Sequence, residues 1–177
     1  LMLKIAEGVR YIHSMHMAHR DLKPGNVLVN VEIDPLSKLL RACSVKITDF
    51  GLTKTKKASK TYTDQTWNTG TSRYMAPEVF KEKDNTEKRA KLNPMKADAY
   101  SFGIMCAEIL TGEKAFGDMG HMELKKKVKA NDNLKSRPDL SKEAYPPRLQ
   151  CLIQRCWTGN FHIRPNFAEI CEELRFI

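Results

Sequence analysis

The 177-residue chain lacks any uninterrupted apolar stretch near the roughly 18–20 residues that cross a bilayer, so no membrane span is expected in it. It also lacks a charged-then-apolar leader, and a helical pattern starts at Leu1, which is the expectation for a piece of a longer chain. Cysteine is scarce and unpaired. Cys43, Cys106, Cys151, Cys156 and Cys171 form no C-x-x-C pair, which excludes a thiolate zinc site of that type. Their odd number fits a reducing compartment better than a disulfide framework. Aromatic residues are only 8% of the chain, and none interleaves the lysine runs at 54–60, 81–96 and 125–129. The net charge of +9 therefore builds no stacking platform for single-stranded nucleic acid, and the runs read as solvated faces. No nucleic-acid partner is expected.

What is present is enough for one core. A hydrophobic fraction of 41% beside 29% charged residues excludes a disordered tail or a fibre. Leu1, Ile5, Val9 and Ile12 recur at helical spacing and predict a helix over 1–16. Pro24-Gly25 breaks the chain, and 27–29 and 45–48 are short β-branched runs that read as two strands. The stretch between them exceeds a usual hairpin loop and predicts a protruding insertion at about 31–44. Residues 51–73 are rich in Lys, Thr and Ser and aperiodic, a long loop, and 82–95 reads as a second exposed insertion.

Residues 99–110 are apolar almost all round, the mark of a buried helix on which others pack. Leu149, Leu152, Ile153, Cys156 and Trp157 form a helical stripe behind Pro146-Pro147, and Phe167, Ile170, Cys171 and Leu174 repeat it. The expected fold is mainly α: a helical bundle around a buried central helix, with a small β-ribbon. His13, His16 and His19 repeat every third position, but no acid or thiol joins them, so they do not read as a metal cluster.

The chemistry-bearing motifs lie around the ribbon. His19-Arg20-Asp21-Leu22-Lys23-Pro24-Gly25-Asn26 fits H-R-D-L-x-x-x-N; Asp49-Phe50-Gly51 follows; Ala76-Pro77-Glu78 closes the long loop. In this order the three motifs resemble the eukaryotic protein kinase family, from residue 1 to the end apart from the two insertions. An antiparallel ribbon brings Asn26, just before its first strand, beside Asp49, just after its second. An amide oxygen and a carboxylate suit Mg²⁺ that keeps water and phosphate oxygens as further ligands. Asp21 can orient a hydroxyl and accept its proton while Lys23 faces the phosphoryl group in flight.

The resemblance implies the rest. The chain would be the C-terminal lobe of a kinase domain (1–177), with an activation segment at 49–78, using ATP and Mg²⁺ on a protein substrate bearing Ser or Thr. Leu28 matches the floor of the adenine pocket, and His19 and Phe50 match members of a packed spine. Asp98 matches the acid that braces the catalytic loop, and Glu78 with Arg164 the ion pair that ties down the activation segment. Lys23 and Thr71 are similar to the serine/threonine class, and Leu52 to enzymes preferring serine. Cys156-Trp157 with Arg164-Pro165-Asn166-Phe167 is similar to the tyrosine-kinase-like group. Arg20 before Asp21 implies control by an activation-loop phosphate, with Thr61, Thr63, Thr66 and Thr69 as candidates and an upstream kinase as activator.

No G-x-G-x-x-G occurs, and only eighteen residues precede His19, so the N-terminal lobe of the parent chain is an implied partner and the piece alone is expected to be inactive. The implied setting is the cytoplasm, or the cytoplasmic portion of a receptor-like kinase. The alternative is a pseudokinase or scaffold lobe; intact Asp21, Lys23, Asn26 and Asp49 weigh against it.

Overall fold

A computed structural model describes residues 1–49, 54–55, 71–81, 93–129, 137–141 and 145–177. The order is α1 (Met2–Ser14), β1 (Met17–Ala18), β2 (Val27–Ile33), β3 (Leu40–Ile47), β4 (Lys54–Thr55), α2 (Pro77–Lys81), α3 (Pro94–Thr111), α4 (His121–Lys129), α5 (Pro147–Cys156) and α6 (Phe167–Arg175). Short 3₁₀ turns occupy Pro24–Asn26, Thr71–Tyr74 and Phe161–Ile163.

The central post is α3. Every residue from Ala97 to Ala107 is buried, as an all-round apolar helix requires. Asn93 caps its start, accepting from the Met95 and Lys96 amides, and Pro94 fills the first turn, where its missing N–H costs nothing. Gly112, at φ 66°, ends the helix in the left-handed conformation that glycine adopts without penalty. The helix therefore begins before the predicted 99, with residues 93–95 as its cap and first turn; 82–92 lie outside the described residues.

Helix α5 packs on α3 through its buried stripe of Leu149, Leu152, Ile153 and Cys156. Gly103 makes that approach possible: a Cβ there would stand 2.8 Å from the Cys156 Cβ and 3.2 Å from the Ile153 carbonyl oxygen. Helix α6 starts with a capping box in which Asn166 and Glu169 satisfy each other's backbone donors, and it buries Phe167, Ile170 and Cys171. Helix α1 buries Ile5, Ala6, Val9 and Ile12 and packs against both α6 and β3. Burial pushes the Cys156 thiol up to about 12 and the Cys106 thiol well above its ordinary value, so both act as small apolar core groups. The lysine-rich segment forms a helix of its own, α4, which buries Leu124 and Val128 and exposes Lys126.

Two antiparallel ribbons complete the fold among the described residues: β1 with β4, and β2 with β3. The second lengthens the two strands read at 27–29 and 45–48. Pairing continues from Val27↔Ile47 to Ile33↔Leu40, so most of 31–44 is strand, and only 34–39 is the connecting turn. Asp34 holds this turn, accepting from the Leu36 and Ser37 amides at 2.9 and 2.7 Å. Those amides hold its carboxyl below the ordinary aspartate value.

Candidate active site

The loop between β1 and β2 is shaped by backbone bonds to one buried carboxylate. Asp98, in the first turns of α3 and 1% exposed, accepts from the Arg20 amide on Oδ1 and from the His19 amide on Oδ2, each at 2.8 Å. A carboxylate so deeply buried is tolerable only with such donors. His13 of α1 supplies a third, its Nε2 lying 2.8 Å from Oδ2. Arg20 sits at φ 69°, a costly backbone conformation for a side chain of this kind, and these bonds hold it there.

From that frame the side chains of 21–26 converge. Asp21 Oδ2 accepts from Lys23 Nζ at 2.7 Å and from Asn26 Nδ2 at 3.1 Å, and Asn26 Nδ2 also donates to the Asp21 carbonyl at 2.7 Å. Oδ1 of the same carboxylate is buried and has no hydrogen-bond partner among the described residues. One oxygen is thus fixed by a cation and an amide, while its twin keeps its acceptor capacity for an incoming donor. His19 joins the two sides of the site. Its Nδ1 accepts from the Asp21 amide at 3.3 Å, so its Nε2 carries the proton and donates to the Thr48 carbonyl at 2.9 Å.

Asp49 follows Thr48 at the end of the ribbon. The Thr48 amide donates to the Asn26 carbonyl at 2.9 Å, which extends the ribbon pairing by one step and brings the backbone at Asp49 next to that of Asn26. Asp49 is exposed and adopts φ 63°, a left-handed turn that aspartate accepts more readily than most residues. The donor set fits a magnesium ion. Asn26 Nδ2 is committed to Asp21, which leaves its amide oxygen for a cation, and Asp49 offers an exposed carboxylate. No group of three or more His, Cys, Asp or Glu that could hold a metal occurs among the described residues, so the remaining ligands would be phosphate oxygens and water.

The other predicted residues lie as follows. Leu28 is 56% exposed on β2. Glu78 and Arg164 form a buried two-pronged pair at 2.7 and 2.8 Å, and Arg164 donates further to the Thr158 and Lys96 carbonyls. Thr71 opens a 3₁₀ turn. Phe50, Leu52, Thr61, Thr63, Thr66 and Thr69 lie outside the described residues.

Two connections have no counterpart in the sequence pattern. Arg73 donates to the Ala115 and Gly117 carbonyls, and the Tyr74 hydroxyl donates to Glu108 at 2.7 Å. Burial and that carboxylate push the Tyr74 phenol well above its ordinary value. Together these bonds fasten the segment ahead of α2 to α3 and the turn after it. A small cavity adjoins them, lined by Asp21, Leu22, Tyr74, Met75 and Asp98 among others.

The profile of the protein tyrosine and serine/threonine kinase family matches residues 1–174. The chain belongs to the protein kinase family. It is 38% identical to a light-sensor protein kinase of Ceratodon purpureus, over the whole chain but 14% of that relative. It is 36% identical to the serine/threonine-protein kinase VIK of Arabidopsis thaliana, covering 99% of the chain and 36% of the relative. The crystal structure of the Rad53 kinase domain and SCD2 in complex with AMPPNP matches with a TM-score of 0.68 and 26% identity, covering 98% of this chain and 56% of that one. The kinase chain thus spans well under two thirds of each of these proteins. Among its described residues no helix is long and apolar enough to cross a membrane.

Proposed function

We propose that residues 1–177 form the C-terminal lobe of a serine/threonine protein kinase, with 49–78 as its activation segment. The observation that carries this reading is the asymmetry of Asp21: Oδ2 is tied to Lys23 and Asn26, and Oδ1 is buried with no partner among the described residues. A substrate hydroxyl donating to Oδ1 would be oriented for attack and would lose its proton to that oxygen. The new bond joins the hydroxyl oxygen to the γ-phosphorus of ATP, and the bond to the ADP oxygen breaks. Lys23, held beside Asp21, offers positive charge to the phosphoryl oxygens. Asn26 and Asp49 would hold Mg²⁺, which neutralises phosphate charge when bound.

Lys23 supports the serine/threonine class, and Cys156-Trp157 with Arg164-Pro165 supports the tyrosine-kinase-like group. The substrate is then a protein bearing Ser or Thr, and the setting is cytoplasmic. Arg20, adjacent to Asp21, is the group that a phosphate on Thr61, Thr63, Thr66 or Thr69 would neutralise, placed there by an upstream kinase. Exposure of Leu28 fits a side chain awaiting the adenine and the N-terminal lobe of the parent.

The test is phosphoryl transfer from Mg²⁺-ATP by the parent kinase. Asp21→Asn should lower kcat by about 10²–10⁴-fold. The isolated 177-residue chain should label no substrate, because it contains no G-x-G-x-x-G loop to clamp the nucleotide. Unchanged kcat in Asp21→Asn overturns the assignment; robust labelling by the isolated chain overturns the two-lobe requirement.

A further inference from the structure

We infer that His13 is a positioning residue for the loop that carries Asp21, acting through Asp98; its catalytic meaning rests on the kinase reading above, but its structural core does not. Asp98 holds the His19 and Arg20 amides with its two carboxylate oxygens, and it comes from α3, almost eighty residues away. Its Oδ2 serves two donors, the His19 amide and His13 Nε2, both at 2.8 Å. A carboxylate accepts only, so the imidazole must donate, and Nε2 carries the proton.

The ring cannot drift from this bond. Phe167 of α6 meets it edge-on with centroids 5.0 Å apart, and Phe167 in turn meets Phe102 of α3 edge-on at 5.4 Å. His13 is therefore wedged between α6 and the carboxylate and fixes how the Asp98 plane is turned. That plane decides whether Oδ1 and Oδ2 reach two consecutive amides at once.

What those amides hold is strained and consequential. Arg20 keeps φ 69° only while its surroundings over-determine it. His19, anchored by its amide, reaches the Asp21 amide with Nδ1 and the Thr48 carbonyl with Nε2. A turn of the Asp98 carboxylate would thus disturb Asp21 on one side and the residue before Asp49 on the other. Without His13, Oδ2 loses one of these two donors, and the His19 and Arg20 amides alone resist the turn.

Amide hydrogen exchange on the 177-residue chain reads this directly. His13→Leu keeps an apolar body against Phe167 and removes the donor; His13→Gln keeps a donor near the position of Nε2. In His13→Leu the His19 and Arg20 amides should exchange about tenfold faster or more while α3 and α6 keep their protection, and His13→Gln should restore most of the slowing. Unchanged His19 and Arg20 exchange in His13→Leu overturns the inference. So does an equal rise across α3 and α6, which would make His13 a packing residue only. In the parent kinase, His13→Leu should lower kcat about tenfold or more with KM for ATP little changed, since only placement of Asp21 is disturbed. Fast exchange with intact kcat would leave the brace standing and count against the role given to Asp21.

Discussion

The helical body and the β2–β3 ribbon treat their side chains in opposite ways. In the body, charged groups such as Arg164 and Asp98 are buried and paired across the sequence. Arg164, 1% exposed, binds Glu78 and two carbonyls, and Asp98 collects three donors from α1 and the loop between β1 and β2. In the ribbon, apolar groups stand in solvent. Val27, Val29, Val31 and Ile33 alternate along one face of β2; Val27 packs on the core, and exposure reaches 57% at Ile33. The body is over-determined by long-range bonds, whereas the outer ribbon is held by its own ladder. Substitutions should therefore cost much in the first and little in the second, with the ribbon root, where Ile47 meets Gly8, as the boundary.

The largest stability effect should come from the buried ion pair. Arg164→Ala leaves the Glu78 carboxylate without its guanidinium partner, and a loss of about 3–5 kcal/mol is expected in urea unfolding. A loss under about 1 kcal/mol, the scale of exposed pairs such as Arg175 with Glu7, would remove the contrast between body and surface. Next comes the helix crossing. Gly103→Ala forces a Cβ against the Cys156 Cβ and the backbone of α5, so a cost of about 1–3 kcal/mol is expected from the same titration. Smallest is the outer ribbon. Val31→Thr keeps a β-branched residue on a half-exposed strand position, and a change within about 0.5 kcal/mol is expected. A cost above about 2 kcal/mol there would mean that the ribbon face is covered in solution, and the two regions would cease to differ.

Much of the fold is legible in the order of residues alone. The buried helix, the stripes of α1, α5 and α6, and the proline at the start of α5 follow from periodicity and cap chemistry, which are local. The alternation Val27, Val29, Val31, Ile33 also signals a strand longer than 27–29. Asp34-Pro35, which marks a turn, points to a loop instead and hides the outer half of the ribbon. Helix α4 escapes a reading by pattern because consecutive lysines mask the buried Leu124 and Val128, whose i, i+4 spacing is the available signal.

The candidate site divides in the same way. Asp21, Lys23 and Asn26 lie within one turn-rich hexapeptide, so their convergence is nearly a local property. That Oδ2 is taken and Oδ1 is open depends on side-chain rotamers settled by packing, and no spacing of residues expresses it. His13 stands in the sequence as one of three evenly spaced histidines, and the spacing suggests nothing beyond a metal that lacks further ligands. Its carboxylate partner lies 85 residues away, and nothing in a pattern of spacings selects one distant acid over another.

The sequence by itself determined α1, α3, α5 and α6, the order of the motifs and the family. Those depend on interactions within a few residues, which propensity, capping and period express directly. Only the tertiary structure decided which buried polar groups would meet: His13 with Asp98, Arg164 with Glu78, His19 with Thr48. Most buried donors and acceptors find a partner, and which one each finds is settled when the helices pack.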